Sequence, residues 1–554
     1  MDIHAHKQNK LEVSHIFTGH ATSVLELFPI RFLEITRKDN WSRREIYELT
    51  GNLVKERLYM EVLYKSTRGG QEGIPASSAI IQGIAEDGGL FVPNAIPRLQ
   101  EPLETLQSLS YQELAYEIMK YFFTDFTEKE LRDCIEGAYD PKFDTPSIAP
   151  VVSTAKGSFL ELFHGPTLAF KDMALSILPY LLKTAIHKQQ LDKEIVILTA
   201  TSGDTGKAAL EGFADVEGTK IIVFFPEDGV SPVQKQQMVT QKGDNTYVIG
   251  IQGNFDDAQS GVKAIFTDPS FQEQLAQKGY MFSSANSINI GRLVPQIVYY
   301  FYGYFQMVEE GKIALGDPLH VAVPTGNFGN ILAAYYAKTM GLPIEKLLCA
   351  SNDNKVLYDF FETGVYDQDR EFFVTISPSM DILISSNLER LLYHMSGEEP
   401  VQVKEWMQQL NQQGKYQITK EMQEKLKTFY GGYTTQEQTR EGIKEVFEQT
   451  GYLMDPHTAV AYQVYHQYQS EHQGGIPTLI VSTASPYKFT KSVMESLDPK
   501  YSQWDDFVLI EKMQELSKVN IPTTIKGLDK MPILHKTICQ KEKMKEEVAH
   551  ILGI

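Results

Sequence analysis

The chain has 554 residues and a formal net charge of −19 at pH 7, with 42% hydrophobic and 22% charged residues. This length exceeds what one simple hydrophobic core organises, so several domains are expected. The acidic balance disfavours a general nucleic-acid binder, because phosphate backbones require a basic protein face.

The cysteines and the apolar runs indicate a protein of the cytoplasm. Cys134, Cys349 and Cys539 are odd in number and far apart, which disfavours both a disulfide framework and a cysteine metal site. No apolar run reaches the roughly 18 residues of a membrane span, and no signal-peptide segment opens the sequence. We therefore expect a soluble cytoplasmic protein without a metal site that binds neither membrane nor nucleic acid.

The first segment, residues 1–59, differs in composition from the rest of the chain. Its charges nearly balance and its helical periodicity is patchy, so it is predicted to be an extension outside the functional domains. From about residue 60 to residue 146 the sequence carries short elements separated by turns.

The next segment places a lysine at the start of a helix. A short apolar run at 158–163 predicts a strand, and 164–167 breaks it before a helical pattern that begins at Ala169. Lys171 lies in the predicted first turn, where the helix dipole disfavours a cation by roughly 0.3–1 kcal/mol. An amine whose charge is disfavoured has a lowered pKa and is more nucleophilic, as Schiff-base chemistry requires. From these residues alone, an ordinary solvated lysine is the commoner interpretation.

From residue 194 onward, strand patterns alternate with helical patterns. The predicted strands are 194–198, 220–225, 246–251, 320–323, 347–350 and 478–481. The predicted helices include 205–214, 234–241, 291–308 and 330–340. Such alternation predicts parallel sheets covered by helices, and the length favours two sheets. Polar helical sequence over about 401–450 is interpreted as a helical insertion with a solvated charged face.

Three turns that are rich in glycine or hydroxyl groups follow predicted strands, where parallel sheets place their ligands. The first, 199–207, resembles a nucleotide-binding P-loop. A P-loop requires a glycine five residues before its Gly-Lys pair and a hydroxyl directly after it. Here Thr201 and Ala208 occupy those two positions, so the P-loop interpretation fails.

The second and third turns suit an anion and a polar ring atom. Two glycines in the turn 323–330 allow backbone N–H groups to converge at a helix start, which makes a candidate phosphate cradle. The third turn, 482–486, offers hydroxyls that are more often helix caps than ligands. A lysine at a helix start, an anion cradle and a hydroxyl at a strand end together suggest pyridoxal phosphate.

An ordered set of motifs, FHGPTLAFKD, TSGDTG, NSINIGR, PTGNFGN, DPHTAVAY and STASPYKF, resembles the longer form of the threonine synthase family, from about residue 64 to at least residue 489. The resemblance implies an α/β protein with two parallel-sheet, three-layer domains of the tryptophan-synthase-β type (pyridoxal-phosphate fold type II). An N-terminal domain and the helical insertion would complete it. The implied boundaries are 60–147 for the N-terminal domain, 148–190 with 300–554 for the large domain, and 191–299 for the small domain.

The resemblance also implies a role for each matched residue. Lys171 would form the Schiff base, and Thr483, with Ser482 as the fallback, would meet the pyridine nitrogen. The residues that would hold the cofactor phosphate are Gly326, Asn327, Phe328, Gly329 and Asn330. The residues that would contact substrate are Thr201, Ser202, Thr205, Asn286, Ser287 and Arg292.

The implied reaction converts O-phospho-L-homoserine and water into L-threonine and phosphate, in a monomer or small homo-oligomer. The alternative is another pyridoxal-phosphate lyase of the same fold, such as a serine/threonine dehydratase or an O-phospho-amine lyase. A non-catalytic binding scaffold is disfavoured because Lys171 is intact.

Asp204 departs from the pattern expected of shorter relatives, in which an asparagine faces the phenolic oxygen of the cofactor. Two anions there would repel each other, so Asp204 is expected to be turned away, bridged or protonated. His164 and His457 are interpreted as structural residues, and Asp455 before His457 is predicted to cap a helix.

Overall fold

The computed structural model describes residues 61–201, 203–228, 230–472 and 474–554, with Asp256 described by its backbone alone. The predicted extension over 1–59 and the predicted substrate residue Ser202 therefore lie outside the described residues. The strands are β1 Tyr64–Ser66, β2 Phe91–Pro93, β3 Val151–Thr154, β4 Gly157–Glu161, β5 Glu194–Ala200, β6 Thr219–Pro226, β7 Thr246–Gln252, β8 Tyr280–Ser283, β9 Leu319–Pro324, β10 Ile344–Ser351, β11 Val365–Asp367, β12 Lys415–Gln417, β13 Phe429–Tyr433, β14 Thr478–Ser482 and β15 Thr537–Gln540.

Helices cover and connect these strands. They are α1 Ala76–Gln82, α2 Leu103–Leu106, α3 Tyr111–Met119, α4 Glu128–Ala138, α5 Asp172–Leu175, α6 Leu178–Lys188, α7 Asp204–Phe213, α8 Pro232–Val239, α9 Phe255–Phe266, α10 Pro269–Gln277, α11 Ile290–Leu293, α12 Pro295–Glu309, α13 Gly329–Met340, α14 Val356–Thr363, α15 Leu388–Met395, α16 Pro400–Gln413, α17 Lys420–Lys425, α18 Gln436–Thr450, α19 Pro456–Glu471, α20 Thr490–Leu497, α21 Asp506–Ser517 and α22 Met544–Leu552. Two short 3₁₀ turns, Pro378–Met380 and Pro486–Phe489, contribute to the site described below.

Two sheets organise the described chain. The larger has the order β13-β10-β9-β14-β4-β3, parallel except for β3, and the smaller has the order β15-β7-β6-β5-β8, parallel throughout. Their central strands are continuous apolar runs, because helices cover both faces of a parallel sheet. Every residue of β9 and of β14 is buried, for example.

The end of the chain corrects one predicted boundary. Residues 300–554 were assigned to the large domain, but β15 pairs in parallel with β7 of the smaller sheet. Helix α22 follows it there, and Lys541 and Lys545 form ion pairs with Asp257 and Asp268 at 2.7 and 2.5 Å. The sequence pattern does not predict this strand, because β15 is a four-residue edge strand with a single buried residue.

The predicted helical insertion over 401–450 is also corrected. It contains α16, α17 and α18, but strand β13 lies between the last two helices and pairs with β10 at the edge of the larger sheet. The pair of glycines in β13 weakens its strand pattern, because glycine has no side chain to pack. Helices α9 and α10, which sequence analysis did not predict, precede β8.

Parallel topology brings the predicted turns to the carboxyl ends of the strands. The segment that carries Lys171 follows β4, the glycine turn follows β9, and the hydroxyl turn follows β14, and these three strands are neighbours. The Lys171 segment also pairs with the hydroxyl turn, because Phe170 N donates to Thr483 O at 2.8 Å and Ser485 N donates to Leu168 O at 3.0 Å.

Candidate active site

Lys171 lies at the start of α5 with a side chain only 12% exposed. Its Nζ is 3.5 Å from Asp204 Oδ2 and 3.3 Å from Ser379 Oγ. Burial lowers the pKa of Lys171; Asp204 opposes this shift, and the nearby cations Lys488 and Arg292 add to it. The lowered pKa predicted for this amine thus agrees in direction, but its main cause is burial rather than the helix dipole.

Asp204 is bridged, which was one of the three states expected from the sequence. Its Oδ1 is 3.1 Å from Lys488 Nζ and accepts from Gln234 Nε2 at 2.7 Å, and Ser379 Oγ donates to its Oδ2 at 3.0 Å. Burial alone would raise the pKa of Asp204, but Lys488 and Lys171 outweigh burial and hold that pKa well below its usual range. The carboxylate is therefore ionised and satisfied.

Lys488 and Ser379 are site residues that sequence reasoning missed. The Lys488 side chain is 0% exposed, and its Nζ donates to Thr167 O at 2.7 Å as well as facing Asp204. Its position between two aromatic residues in STASPYKF was the available signal for a buried amine. Ser379 lies in an irregular segment that the sequence pattern did not single out.

His457 positions the turn that carries Ser379. Its Nε2 accepts from Ser379 N at 3.1 Å, while its Nδ1 lies 2.7 Å from Asp455 Oδ1. Asp455 caps α19, as predicted, by accepting from the backbone N–H groups of His457 and Thr458. The interpretation of His457 as structural agrees with these contacts, which place it directly behind the site.

His164 lies between two carboxylates. Its Nδ1 is 2.6 Å from Asp144 Oδ1 and its Nε2 is 2.9 Å from Glu161 Oε2. Burial alone would lower the pKa of His164, but the two carboxylates outweigh burial and raise it to about 9. These contacts hold the chain in position just before the segment that carries Lys171.

The glycine turn between β9 and α13 leaves room for an anion. A Cβ on Gly326 would lie 2.6 Å from Ser379 O, so only glycine allows this close approach. Phe328 is buried in a left-handed conformation, with φ 62°. Asn330 Oδ1 accepts from Tyr299 and Tyr300, whereas its Nδ2 is buried and has no partner among the described residues. The free amide and the turn at a helix start fit a phosphate group.

Asn387 connects the glycine turn to the NSINIGR loop. Its backbone N and its Nδ2 donate to Asn327 O at 3.1 and 2.9 Å, and its Nδ2 also donates to Ser287 Oγ at 3.3 Å. Arg390, fully buried, donates to Asn387 Oδ1 and to Ile288 O. Two loops predicted to bind different phosphates are therefore neighbours.

Arg292 is a buried cation of the NSINIGR loop. The residue is 3% exposed, its Nη1 donates to Ala285 O at 2.9 Å, and its Nε has no partner among the residues that the structure describes. It forms no ion pair with any carboxylate of the described chain, and burial lowers its pKa to about 10. Asn286 is exposed and Ser287 is half-buried in the same loop.

The remaining predicted residues differ in how free their side chains are. Thr201 Oγ1 accepts from Gly203 N and Gly206 N at 3.0 and 2.9 Å, so it shapes its own turn, and Thr205 is half-buried. Ser482 Oγ is 3.0 Å from Thr458 Oγ1. Thr483 is buried, and its hydroxyl has no hydrogen-bond partner within the described residues, which leaves it free for a ring nitrogen.

The arrangement as a whole suits pyridoxal phosphate rather than a metal. A buried amine, a glycine cradle with a free amide and a free hydroxyl match the aldehyde, the phosphate and the ring nitrogen of that cofactor. The described ranges hold no cluster of side chains that could bind a metal ion. They also hold no helix with the length and apolar character needed to cross a membrane.

Protein-family models match most of the chain. Three family models match in order: "Threonine synthase N terminus" over residues 63–139, "Pyridoxal-phosphate dependent enzyme" over 159–418, and "Threonine synthase, C-terminal" over 458–535. The threonine synthase of Eremothecium gossypii is 35% identical over 525 residues, covering 87% of this chain and 98% of that protein. Human "Threonine synthase-like 1" is 39% identical over 487 residues, covering 86% of this chain but 63% of that protein. The chain thus spans less than two thirds of that relative's length.

Solved structures show the same fold. The pyridoxal-phosphate-bound threonine synthase of Brucella melitensis has a TM-score of 0.79 and 35% identity, covering 88% of this chain and 99% of that one. The yeast threonine synthase has a TM-score of 0.79 and 34% identity, covering 89% and 98%. The expected α/β fold of type II pyridoxal enzymes is confirmed. The chain belongs to the threonine synthase family of pyridoxal-phosphate-dependent enzymes.

Proposed function

We propose that this protein converts O-phospho-L-homoserine and water into L-threonine and phosphate. The observation that carries the proposal is Arg292, a buried guanidinium whose Nε has no partner within the described part of the chain and which lies close enough to Lys171 to lower the pKa of its amine. A buried cation without a carboxylate partner needs an anion from a ligand. The γ-phosphate of the substrate would supply that anion next to the reactive amine, with Ser287 and Asn286 as further contacts.

The residues that would hold the cofactor are those predicted from the sequence. Lys171 would bond its aldehyde, the amides of 326–330 and the free Nδ2 of Asn330 would hold its phosphate, and Thr483 would donate to its ring nitrogen. Ser482 stays the fallback for that last role, although its hydroxyl already faces Thr458. When bound, pyridoxal phosphate supplies an electron sink for the negative charge that develops at the substrate's α-carbon.

The chain's own groups would move the protons. Lys171 Nζ, whose pKa burial lowers, would accept the α-proton and return it later. Ser379 and Asp204 lie within 3.5 Å of this atom and would hold it in place between transfers. Arg292 would stabilise the negative charge on the departing phosphate. Thr201, Ser202 and Thr205 would orient the rest of the substrate.

A product assay tests the proposal. Incubation with O-phospho-L-homoserine should release threonine and phosphate in equal amounts, and formation of 2-oxobutyrate alone would assign the protein to another lyase of this fold. Lys171→Ala should abolish both turnover and the visible absorbance that borohydride removes. Lys491→Ala is the matched control, because Lys491 Nζ donates to Trp504 O away from the site.

We also propose a setting for this activity. The cysteines of the chain, Cys134, Cys349 and Cys539, are buried free thiols, which supports a reducing compartment such as the cytoplasm. The acidic net charge supports a small-molecule substrate rather than a nucleic acid or membrane partner. We expect a monomer or a small homo-oligomer, which sedimentation at several protein concentrations would establish.

A further inference from the structure

Two buried lysines compete for one carboxylate in this site. Asp204 presents Oδ1 to Lys488 Nζ at 3.1 Å and Oδ2 to Lys171 Nζ at 3.5 Å. Lys488 donates a second, shorter hydrogen bond to Thr167 O at 2.7 Å, whereas the second partner of Lys171 is Ser379 Oγ at 3.3 Å. The contacts of Lys488 are thus the shorter ones on both counts.

Because both side chains are buried, we expect only one of the two amines to stay protonated. The Lys488 side chain is 0% exposed and that of Lys171 is 12% exposed, so each ammonium would need compensation by an anion. Among the described residues, Asp204 is the one carboxylate within 4.0 Å of either amine, and one carboxylate compensates one positive charge. Arg292 adds another cation on the side of Lys171, which disfavours a proton there still further.

The other titratable groups around the two lysines also favour a positive charge on Lys488 over one on Lys171. Asp172 acts electrostatically on Lys488, and although burial raises the pKa of Asp172 to about 6, this carboxyl group is mostly ionised at neutral pH. The negative charge of Glu211 opposes the ionisation of Asp172. His457 acts on Asp204, whose other amide partner, Gln234, is neutral. Asp204 thus faces both amines, whereas Asp172 acts on Lys488.

We propose that Lys488 is a positioning residue that retains the shared proton by pairing with Asp204, so that the amine of Lys171 is neutral at physiological pH. An amine needs its lone pair to attack an aldehyde or to accept a proton, so only the neutral form is reactive. Lys488 prevents Asp204 from pairing fully with Lys171. This inference rests on the proposed function only in taking Lys171 as the reactive amine.

The test measures the protonation of Lys171 directly. The full-length protein is freed of cofactor with hydroxylamine, which removes the aldehyde as an oxime, and is then desalted. It is treated with formaldehyde and cyanoborohydride from pH 6 to 11, and methylation of Lys171 is quantified by mass spectrometry. Lys488→Gln retains hydrogen-bonding atoms for Asp204 and Thr167 but removes the charge. The substitution should raise the pH midpoint of Lys171 labelling by about 1 pH unit or more, because Asp204 would then pair with Lys171 alone. Labelling at pH 8 should fall about tenfold.

Matched variants separate charge from structure. Lys488→Arg keeps the charge and Lys491→Gln removes a lysine whose Nζ donates to Trp504 O instead, so both should label as wild type does. Asp204→Asn combined with Lys488→Gln removes the contested carboxylate and should bring the midpoint back down. A second readout, the rate at which added pyridoxal phosphate develops the imine absorbance, should slow in Lys488→Gln at pH 7 and recover at pH 9.

Each outcome supports or overturns the proposed role of Lys488, and none of the measurements requires substrate. An unchanged or lower midpoint in folded Lys488→Gln overturns the proposal, and so does an equal upward shift in Lys488→Arg. If both Lys488→Gln and Lys488→Met fail to fold while Lys488→Arg folds, Lys488 serves the fold and the proposal is likewise overturned. Because labelling needs no phosphohomoserine, failure of the proposed reaction would leave this result intact, and the reverse also holds.

Discussion

Replacing Arg292 by methionine should make the protein more stable and less active. Burial lowers the pKa of Arg292 from 12.5 to about 10, which corresponds to about 3 kcal/mol of penalty at 1.36 kcal/mol per pKa unit. The substitution also removes the hydrogen bond to Ala285 O, worth about 1 kcal/mol. The free energy of unfolding should therefore rise by about 1–2 kcal/mol, because methionine fills similar space without a charge.

The gain in stability of Arg292→Met should be accompanied by a loss of activity. Without the guanidinium, kcat/KM for phosphohomoserine should fall about 100-fold or more, since a charge-assisted contact to the departing phosphate is lost. Inorganic phosphate should raise the unfolding free energy of wild type, by about 2.7 kcal/mol at one hundred times its Kd, and leave Arg292→Met unchanged. Urea denaturation with and without phosphate measures both effects.

A second arginine provides the control. Arg68 is paired with the nearly buried Glu389 at 2.8 Å, so Arg68→Met leaves a carboxylate without its partner. This variant should lose about 2 kcal/mol or more of stability. The reasoning is refuted if Arg292→Met destabilises the protein by more than about 1 kcal/mol, or if the two arginine variants change stability equally.

Two further predictions concern the glycine turn and His164. Gly326→Ala places a Cβ 2.6 Å from Ser379 O, so the turn must shift and cofactor retention on dialysis should fall about tenfold or more, while Gly475→Ala, which meets open space, should retain cofactor normally. Equal retention in both would contradict this. Because the pKa of His164 is raised in the folded state, its charge stabilises below pH 6.5 and this contribution is lost as the pH rises through about 9. The stability difference between wild type and His164→Gln should thus shrink by about 3 kcal/mol between pH 6 and pH 9.5, and urea midpoints that stay parallel over this range would refute the assignment.

The sequence predicted those parts of the fold that have strong local patterns. Strands β5, β9 and β14 are buried on both faces and therefore appear as continuous apolar runs. Strand β15 has one buried residue and β13 has two glycines, so neither produces such a run. Pairing with β7 and β10 sets the positions of these two strands, and a local sequence pattern carries no information about such pairing.

The same distinction holds for the site. Lys171 and the glycine turn stand at strand ends, where parallel sheets gather ligands, and could be located from local sequence. Ser379 and Lys488 reach the amine only through the tertiary fold. The aromatic neighbours of Lys488 indicate a buried amine but not what it contacts, and the neighbours of Ser379 give no signal. Asn387, which connects the two anion loops, lies in the same class. Prediction therefore failed mainly for residues that act by supporting others.

The late position of β15 has a consequence for biosynthesis. During translation, the smaller sheet has an open backbone edge at β7 until residues 537–540 leave the ribosome, although its other four strands emerge much earlier. An unpaired edge of this kind is a template for association with other chains. We expect nascent or prematurely terminated chains to depend on chaperones until the last strand closes that edge.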